Sequence, residues 1–260
     1  MPGMRRLIGL LTSALLSLLL LGGTAHAAYP VRDRALTANQ LYRSGVLQDS
    51  RCTERPVKPN DVALAKRYLT TVFNCLTASW GAYFKRAGLP FTKPKIGFIT
   101  KERRFCGEPW GEASGAYCPA EGRFLLLLDK NTLSDPGDLF LLDLVAHEYG
   151  HHLQQLTGIN RAHGRHSYRG KSERNEQSRR SELQAECLAG VFIGSVWDSL
   201  KRTGDDWKFL LDLRRESGDE QAEVRDHGKG RNIAAWLDKG FHAVSPAACN
   251  TWTASAAKVA

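Results

Sequence analysis

The sequence predicts an α+β domain: a small mixed sheet packed on a long N-terminal helix and a second, mid-chain helix, followed by a mainly helical C-terminal part. Three observations lead there. Apolar residues recur at three- and four-residue spacing from Val62 to Phe84. Two short apolar runs, residues 95–100 (KIGFIT) and 123–129 (RFLLLLD), are bounded by Pro, Gly and Asn as strands are. Beyond residue 135 only helical periodicities follow. Of 260 residues, 42% are hydrophobic and 24% charged, which excludes a disordered or collagen-like chain and is enough to build a core.

Taken in order, the chain opens on Arg5 and Arg6, an uncharged run over residues 7–21 and the small-residue site Ala25-His26-Ala27. This is the pattern of a secretory signal peptide cleaved after Ala27. The run is shorter than the roughly 20 apolar residues of a spanning helix, and Thr12 and Ser17 dilute it. The expected product is secreted or extracytoplasmic and starts at Ala28. Removing Arg5 and Arg6 takes two of the nine net positive charges. All six cysteines (Cys52, Cys75, Cys106, Cys118, Cys187, Cys249) follow the leader, and an even number in an exported chain reads as three disulfides, with fifteen possible connectivities. No CxxC pair occurs, which argues against a thiolate metal site.

Residues 28–59 mix Pro, Arg, Asp and Ser without a period and read as an extended arm, with the domain proper over 60–260. Asn60 or Asp61 caps the first helix and Gly88 stops it. Cys106 and Cys118 bracket a Gly-rich loop between the two strands. The second helix starts near Asp135-Pro136, since proline suits the first helical position and Asp138 the positive end of the dipole; Gly158 ends it. Residues 160–180 hold seven basic and two acidic side chains and little that is apolar, giving an exposed connector or the wet first turns of the next helix. A third helix over 175–200 and two shorter ones over 205–216 and 231–239 complete the chain. There is no internal repeat and no phosphate-binding loop.

The chemistry sits in the second helix, where His147-Glu148-Tyr149-Gly150-His151 spells HExxH between apolar flanks. One helical turn separates the histidines, so both imidazoles can grip one Zn²⁺ while Glu148 lies where it can take a proton from water. A catalytic zinc needs a third protein ligand. Gln154 and Thr157 stand where a metzincin would have Gly and His, and the only methionines, Met1 and Met4, lie in the leader. The third helix supplies Glu182 and Glu186 one turn apart on a face that continues into Leu188, Val191, Phe192 and Val196. Glu182 is read as the ligand and Glu186 as the acceptor for a ligand histidine's other N–H. His163 and His166 are rival third ligands.

These residues resemble a known family. HEYGHHLQ (147–154), ELQAEC (182–187) and Ala189-Gly190 are similar to the HExGHHxQ and ELQADCxAG pattern of the bacterial neutral zinc metallopeptidases. Weaker similarity extends to Cys106-Gly107, to Tyr117-Cys118-Pro119-Ala120, and downstream to Gly218-Asp219, His227-Gly228 and the Trp236 to Gly240 spacing, covering about residues 91–241. Glu186 stands where the family usually has Asp, and residues 228–235 depart from its pattern. The resemblance implies a zincin-like fold, one zinc per chain and a glutamate third ligand.

From that chemistry follows an exported endopeptidase acting on protein or peptide substrates, with Glu148 as general base and His227, or alternatively Tyr149 or Arg231, as donor to the developing oxyanion. The run 123–129 could offer an edge to which an extended peptide adds as a strand, and an ordinary buried strand explains its leucines equally well. The favoured disulfides are Cys106–Cys118, Cys52–Cys75 and Cys187–Cys249, with Cys187 as a buried thiol the alternative. The competing function is a non-catalytic, zinc-containing protein whose basic surface binds anionic cell-wall polymers. Nucleic acid is not expected as a partner, because the basic residues are not interleaved with aromatics.

Overall fold

The arm before the first long helix is held down by apolar anchors. In the computed structural model, which describes residues 31–134 and 138–260, Arg34–Thr37 form a short helix (α1) and Gln40–Arg43 a 3-10 turn. Leu36, Leu41, Leu47 and Cys52 are buried with the main core. Asn39 ties the arm to the end of the mid-chain helix by donating to the Thr157 carbonyl at 3.1 Å. The arm is therefore less extended than its aperiodic sequence suggests, because single leucines anchor it. The leader and the Asp135-Pro136 helix start lie outside the described residues.

Helix α2 spans Val62–Arg86, capped by Asp61, which accepts from Leu64 N. It stops at Gly88, whose φ of +65° a side-chain-bearing residue rarely adopts. Its buried stripe, Tyr68 to Phe84, is the predicted one.

Three strands follow, β1 (Lys95–Ile99), β2 (Gly115–Cys118) and β3 (Arg123–Leu127), in the order β1-β3-β2. β3 pairs parallel with β1 and antiparallel with β2. Its central place explains its composition, since a strand covered on both faces reads as a continuous apolar run. Phe124 and Leu126 join the main core, while Leu125 and Leu127 form a small second core with Trp110. Two expectations are corrected here. Residues 115–118 are a strand, although GAYC has no apolar alternation. Of the two readings of 123–129 the buried strand holds and the edge does not, because β3 is paired on both sides; among the described residues β2 is an edge strand beside it.

Helices α3 (Lys130–Leu133), α4 (Asp138–Leu156), α5 (Ile159–Arg165), α6 (Lys171–Leu200), α7 (Gly204–Glu216) and α8 (Gly230–Ala243) complete the chain. Gly158, at φ +78°, breaks α4 from α5. Part of the expected connector is thus helical, and the first turns of α6 are not simply wet: Arg180 is buried, its Nη2 2.7 Å from Glu176 Oε1 and its Nη1 donating to the Thr251 carbonyl. Among the described residues no helix is long and apolar enough to cross a membrane. Disulfides join Cys52–Cys75, Cys106–Cys118 and Cys187–Cys249, so Cys187 is not a free thiol.

α8 lies against α6 backbone to backbone. A Cβ on Gly190 would overlap the Leu237 carbonyl, and one on Gly240 the Cys187 carbonyl. Gly190→Ala and Gly240→Ala should each cost about 1–3 kcal/mol and lower Tm by roughly 3–10 °C. Gly164→Ala, with nothing within 4 Å of its Cβ, should leave Tm unchanged or raise it. An equal drop in all three melting curves would remove the close-contact reading.

Candidate metal centre

Helix α4 buries Leu142, Val145, Tyr149 and Leu153 in the core and turns His147 and His151 toward α6. The two helices cross at Gly150, where an added Cβ would sit 2.7 Å from the Ala185 carbonyl oxygen. Only glycine permits that approach. It seats Glu182 and Glu186 opposite the two histidines.

Glu182 Oε2 lies 3.3 Å from His147 Nε2 and 3.1 Å from His151 Nε2, and the two Nε2 atoms are 3.1 Å apart. The far side of each ring is occupied. His147 Nδ1 is 2.9 Å from Glu186 Oε2, and His151 Nδ1 is 3.0 Å from Gln154 Oε1. Gln154 is oriented by its own amide, which donates to the Ser181 carbonyl and to Gln184 Oε1. With an acceptor beside each Nδ1, a neutral ring keeps its proton there and turns Nε2 as a donor atom toward Glu182. Against the effect of burial, the neighbouring carboxylates raise both imidazoles, so a cation at this point would take the place of ring protons. Zinc–nitrogen and zinc–oxygen bonds of roughly 2.0–2.1 Å in a tetrahedron place ligand atoms about 3.3 Å apart, so the donor set fits zinc in kind and in spacing. Among the described residues, His147, His151 and Glu182 form the one cluster able to hold a metal ion. His163 packs on Trp252 at 5.4 Å between ring centroids, and neither it nor His166 joins that cluster.

Charge follows the geometry. Against the effect of burial, His151 and His147 hold the Glu182 carboxyl well below the usual range. Burial likewise opposes ionisation of Glu186, but Arg214 and His147 bring it down to about 2. Arg214, on α7, donates from Nε to Glu186 Oε1 at 2.8 Å and from Nη2 to Oε2 at 3.2 Å. Its Nε also lies 3.1 Å from Asp143 Oδ2, an ion pair without hydrogen-bond alignment.

Glu148 is buried on the other side of the histidines, against the sheet. A Cβ on Gly115 of β2 would lie 2.6 Å from Glu148 Oε1. Glu148 Oε2 has no hydrogen-bond partner among the described residues, and burial pushes the carboxyl up. Both metal-facing histidines, Glu148, Glu182, His227 and the inner side of β2 line one cavity of about 280 Å³. A larger hollow, about 580 Å³, between Asp49 and Lys201 contains no comparable cluster.

His227 stands at the open side of this cavity, its Nε2 3.9 Å from Glu182 Oε2 and its Nδ1 2.7 Å from Asp226 Oδ1. Asp219 fixes the loop by accepting from the backbone N–H groups of His227 and Gly228. Tyr149 and Arg231 do not serve as donors here. The Tyr149 hydroxyl is turned into the core toward Thr77, and Arg231 is exposed on α8 away from the cavity lining.

Sequence reasoning missed Arg214, Asp143, Gln154 and the second histidine of the HH pair. His152 Nδ1 meets the Tyr117 hydroxyl at 2.9 Å and its Nε2 meets the Thr92 carbonyl at 2.7 Å, which wires β2 to α4. Asp143 had a signal as the one acid in the otherwise apolar run Leu139 to Val145, and His152 and Gln154 stand in the HExGHHxQ pattern, which marks them without giving their roles.

The sequence model of the family described as "Putative neutral zinc metallopeptidase" matches residues 27–252. Uncharacterized protein YpfJ of Escherichia coli (strain K12) is 28% identical over 215 residues, 76% of this chain and 75% of that one. Uncharacterized protein Rv2575 of Mycobacterium tuberculosis (strain ATCC 25618 / H37Rv) is 26% identical over 182 residues, 58% of this chain and 59% of that one. No solved structure matches significantly.

The donor set predicts tight binding of one zinc per chain. Glu186→Ala should weaken it about 10–100-fold, and Glu182→Ala, which removes a ligand atom, by at least a further tenfold. Competition with a chromogenic chelator reads both; the reverse order would exchange the two roles.

Proposed function

The chain belongs to the neutral zinc metallopeptidase family, and from that premise we propose that it is an exported endopeptidase of zincin-like fold, hydrolysing protein or peptide substrates. The observation that carries this reading is the pairing of a three-donor metal cluster with a buried carboxylate, Glu148, one oxygen of which has no partner. A structural zinc is closed by four protein ligands and has no use for a neighbouring base. The competing reading, a binding protein for anionic polymers, leaves Glu148 without a role.

A bound zinc supplies Lewis acidity, lowering the pKa of a water toward ~7 and polarising the scissile carbonyl. The chain's own residues do the rest. Glu148 takes the proton of the attacking water and passes it to the leaving amine, a role suited to a carboxyl raised by burial. His227 holds a ring nitrogen at the open side of the cavity, where it can donate to oxyanion charge; Asp226 first, then Glu182, raise its pKa and favour the charged, donating form. The free edge of β2 borders the same cavity and suits an extended peptide added as a further strand. The leader pattern and the three disulfides support export, which N-terminal mass spectrometry of the product tests by the presence of Ala28 at its start.

In a peptide-hydrolysis assay, Glu148→Gln should keep its zinc and lose about 10²–10⁴-fold in kcat. In the same assay His227→Ala should keep its zinc and lose about 10²-fold in kcat. Hydrolysis that survives exhaustive chelation, or a fully active Glu148→Gln variant, would overturn the reading.

A further inference from the structure

We propose that Arg214, supported by Asp143, is a positioning residue for the metal centre: it acts through Glu186 to hold the His147 ring with Nε2 aimed at Glu182, and it rests on the reading of His147, His151 and Glu182 as zinc ligands.

Arg214 belongs to α7, and no residue of α7 lines the site cavity. Even so, its guanidinium reaches inward between α4 and α6 and meets two carboxylates that are almost wholly buried, Asp143 and Glu186, each 1% exposed. Burying these three ionisable groups together is costly and rarely improves stability over an apolar cluster of the same size, so their placement points to a task. Glu186 shows what it is. A glutamate side chain on a helix turns about three bonds, and a single bond to His147 would leave its carboxylate free to swing. Arg214 grips both oxygens, Nε on Oε1 at 2.8 Å and Nη2 on Oε2 at 3.2 Å, which fixes the carboxylate plane. Oε2 is then left facing His147 Nδ1 at 2.9 Å.

Asp143 completes the grip from the other side. It lies one turn before His147 on α4 and sits 3.1 Å from Arg214 Nε, so the guanidinium spans α4 and α6 at the level of the ring it orients. The Glu186 carboxylate held behind His147 strengthens that imidazole as a donor to a cation. Arg214 is thus tied to the metal site by geometry. His151 has a different arrangement, in which neutral Gln154 does the orienting.

The test is zinc affinity of the metal-stripped full chain, measured by chelator competition for wild type, Arg214→Met, Glu186→Gln and the double variant. Arg214→Met should bind zinc about 10–100-fold more weakly. In the Glu186→Gln background the same change should cost less than about threefold, because the route runs through Glu186. Arg214→Lys, which keeps the charge and loses the two-point grip, should fall between. Wild-type affinity in Arg214→Met, or full multiplication of the two single losses, would overturn the proposal. Should Arg214→Met fail to fold by far-UV circular dichroism, Arg214→Lys carries the test, and an unchanged affinity there overturns it. A wild-type chain that binds no zinc would instead remove the metal-centre reading on which this rests.

Discussion

The close crossing of α4 and α6 is the constraint on which the site depends. Gly150 has no side chain to hold off the Ala185 backbone, so residues before and after it, His147 and His151, come within hydrogen-bond range of residues before and after Ala185, Glu182 and Glu186. Helices packed through ordinary side chains lie 8–10 Å apart, a separation at which these short polar side chains would meet less closely. The glycines of α6 and α8 extend the same device. Gly190 and Gly240 bring α8 against the far side of the ligand helix, and the Cys187–Cys249 bridge ties the chain beyond α8 to the turn that carries Glu186. The ligand helix is clamped from both flanks.

What lies inside that clamp is polar, and apart from Asp143 and Glu148 its groups have hydrogen-bond partners that limit their orientations. Gln154 serves His151 while donating to Ser181 and Gln184, and Gln184 donates onward to Tyr42 and the Cys249 carbonyl. Arg180 and Glu176 pair beneath the C-terminal turns. Satisfied networks of this kind rigidify, since any other arrangement leaves a buried donor or acceptor unpaired. The acceptors facing the two Nδ1 atoms, Glu186 and Gln154, are consequently set by the fold. A centre organised in advance has little ordering left to do when the ion arrives.

The parts of this design legible in the sequence were those encoded within a few turns of one helix. HExxH, the Glu182/Glu186 pair, the α2 stripe, its Asp61 cap and the glycine stops all follow from local spacing. Glu182 was reached by asking what a two-histidine site lacks. Features that depend on where distant segments meet were not legible. β2 has too few residues and too little alternation to read as a strand, and it exists because β3 needs a partner and Cys118 is bridged to Cys106. Arg214 looks like any arginine near the end of an amphipathic helix until α7 is docked. The four leucines of 123–129 say only that the run is buried, so they suit an edge or a central strand alike, and the pairing of β3 on both sides decides for the second.

Charge balance gives the site its direction. Asp143, Glu148, Glu182 and Glu186 surround the two imidazoles, and Arg214 is the one guanidinium paired among them. Burial opposes ionisation of all four, and it prevails at the two without a hydrogen-bonded cation: Asp143 is pushed up to about 7, with Glu186 adding to the effect, and Glu148 is raised as well. A divalent ion held by the Nε2 atoms and Glu182 would add positive charge at the middle of this cluster. Glu148 stays outside the ligand set while lining the cavity, with Gly115 leaving room beside its Oε1. The structure therefore separates two uses of the same functional group. Glu182 and Glu186 are fixed by partners and serve the ion, and Glu148 is left unpartnered and available to exchange a proton.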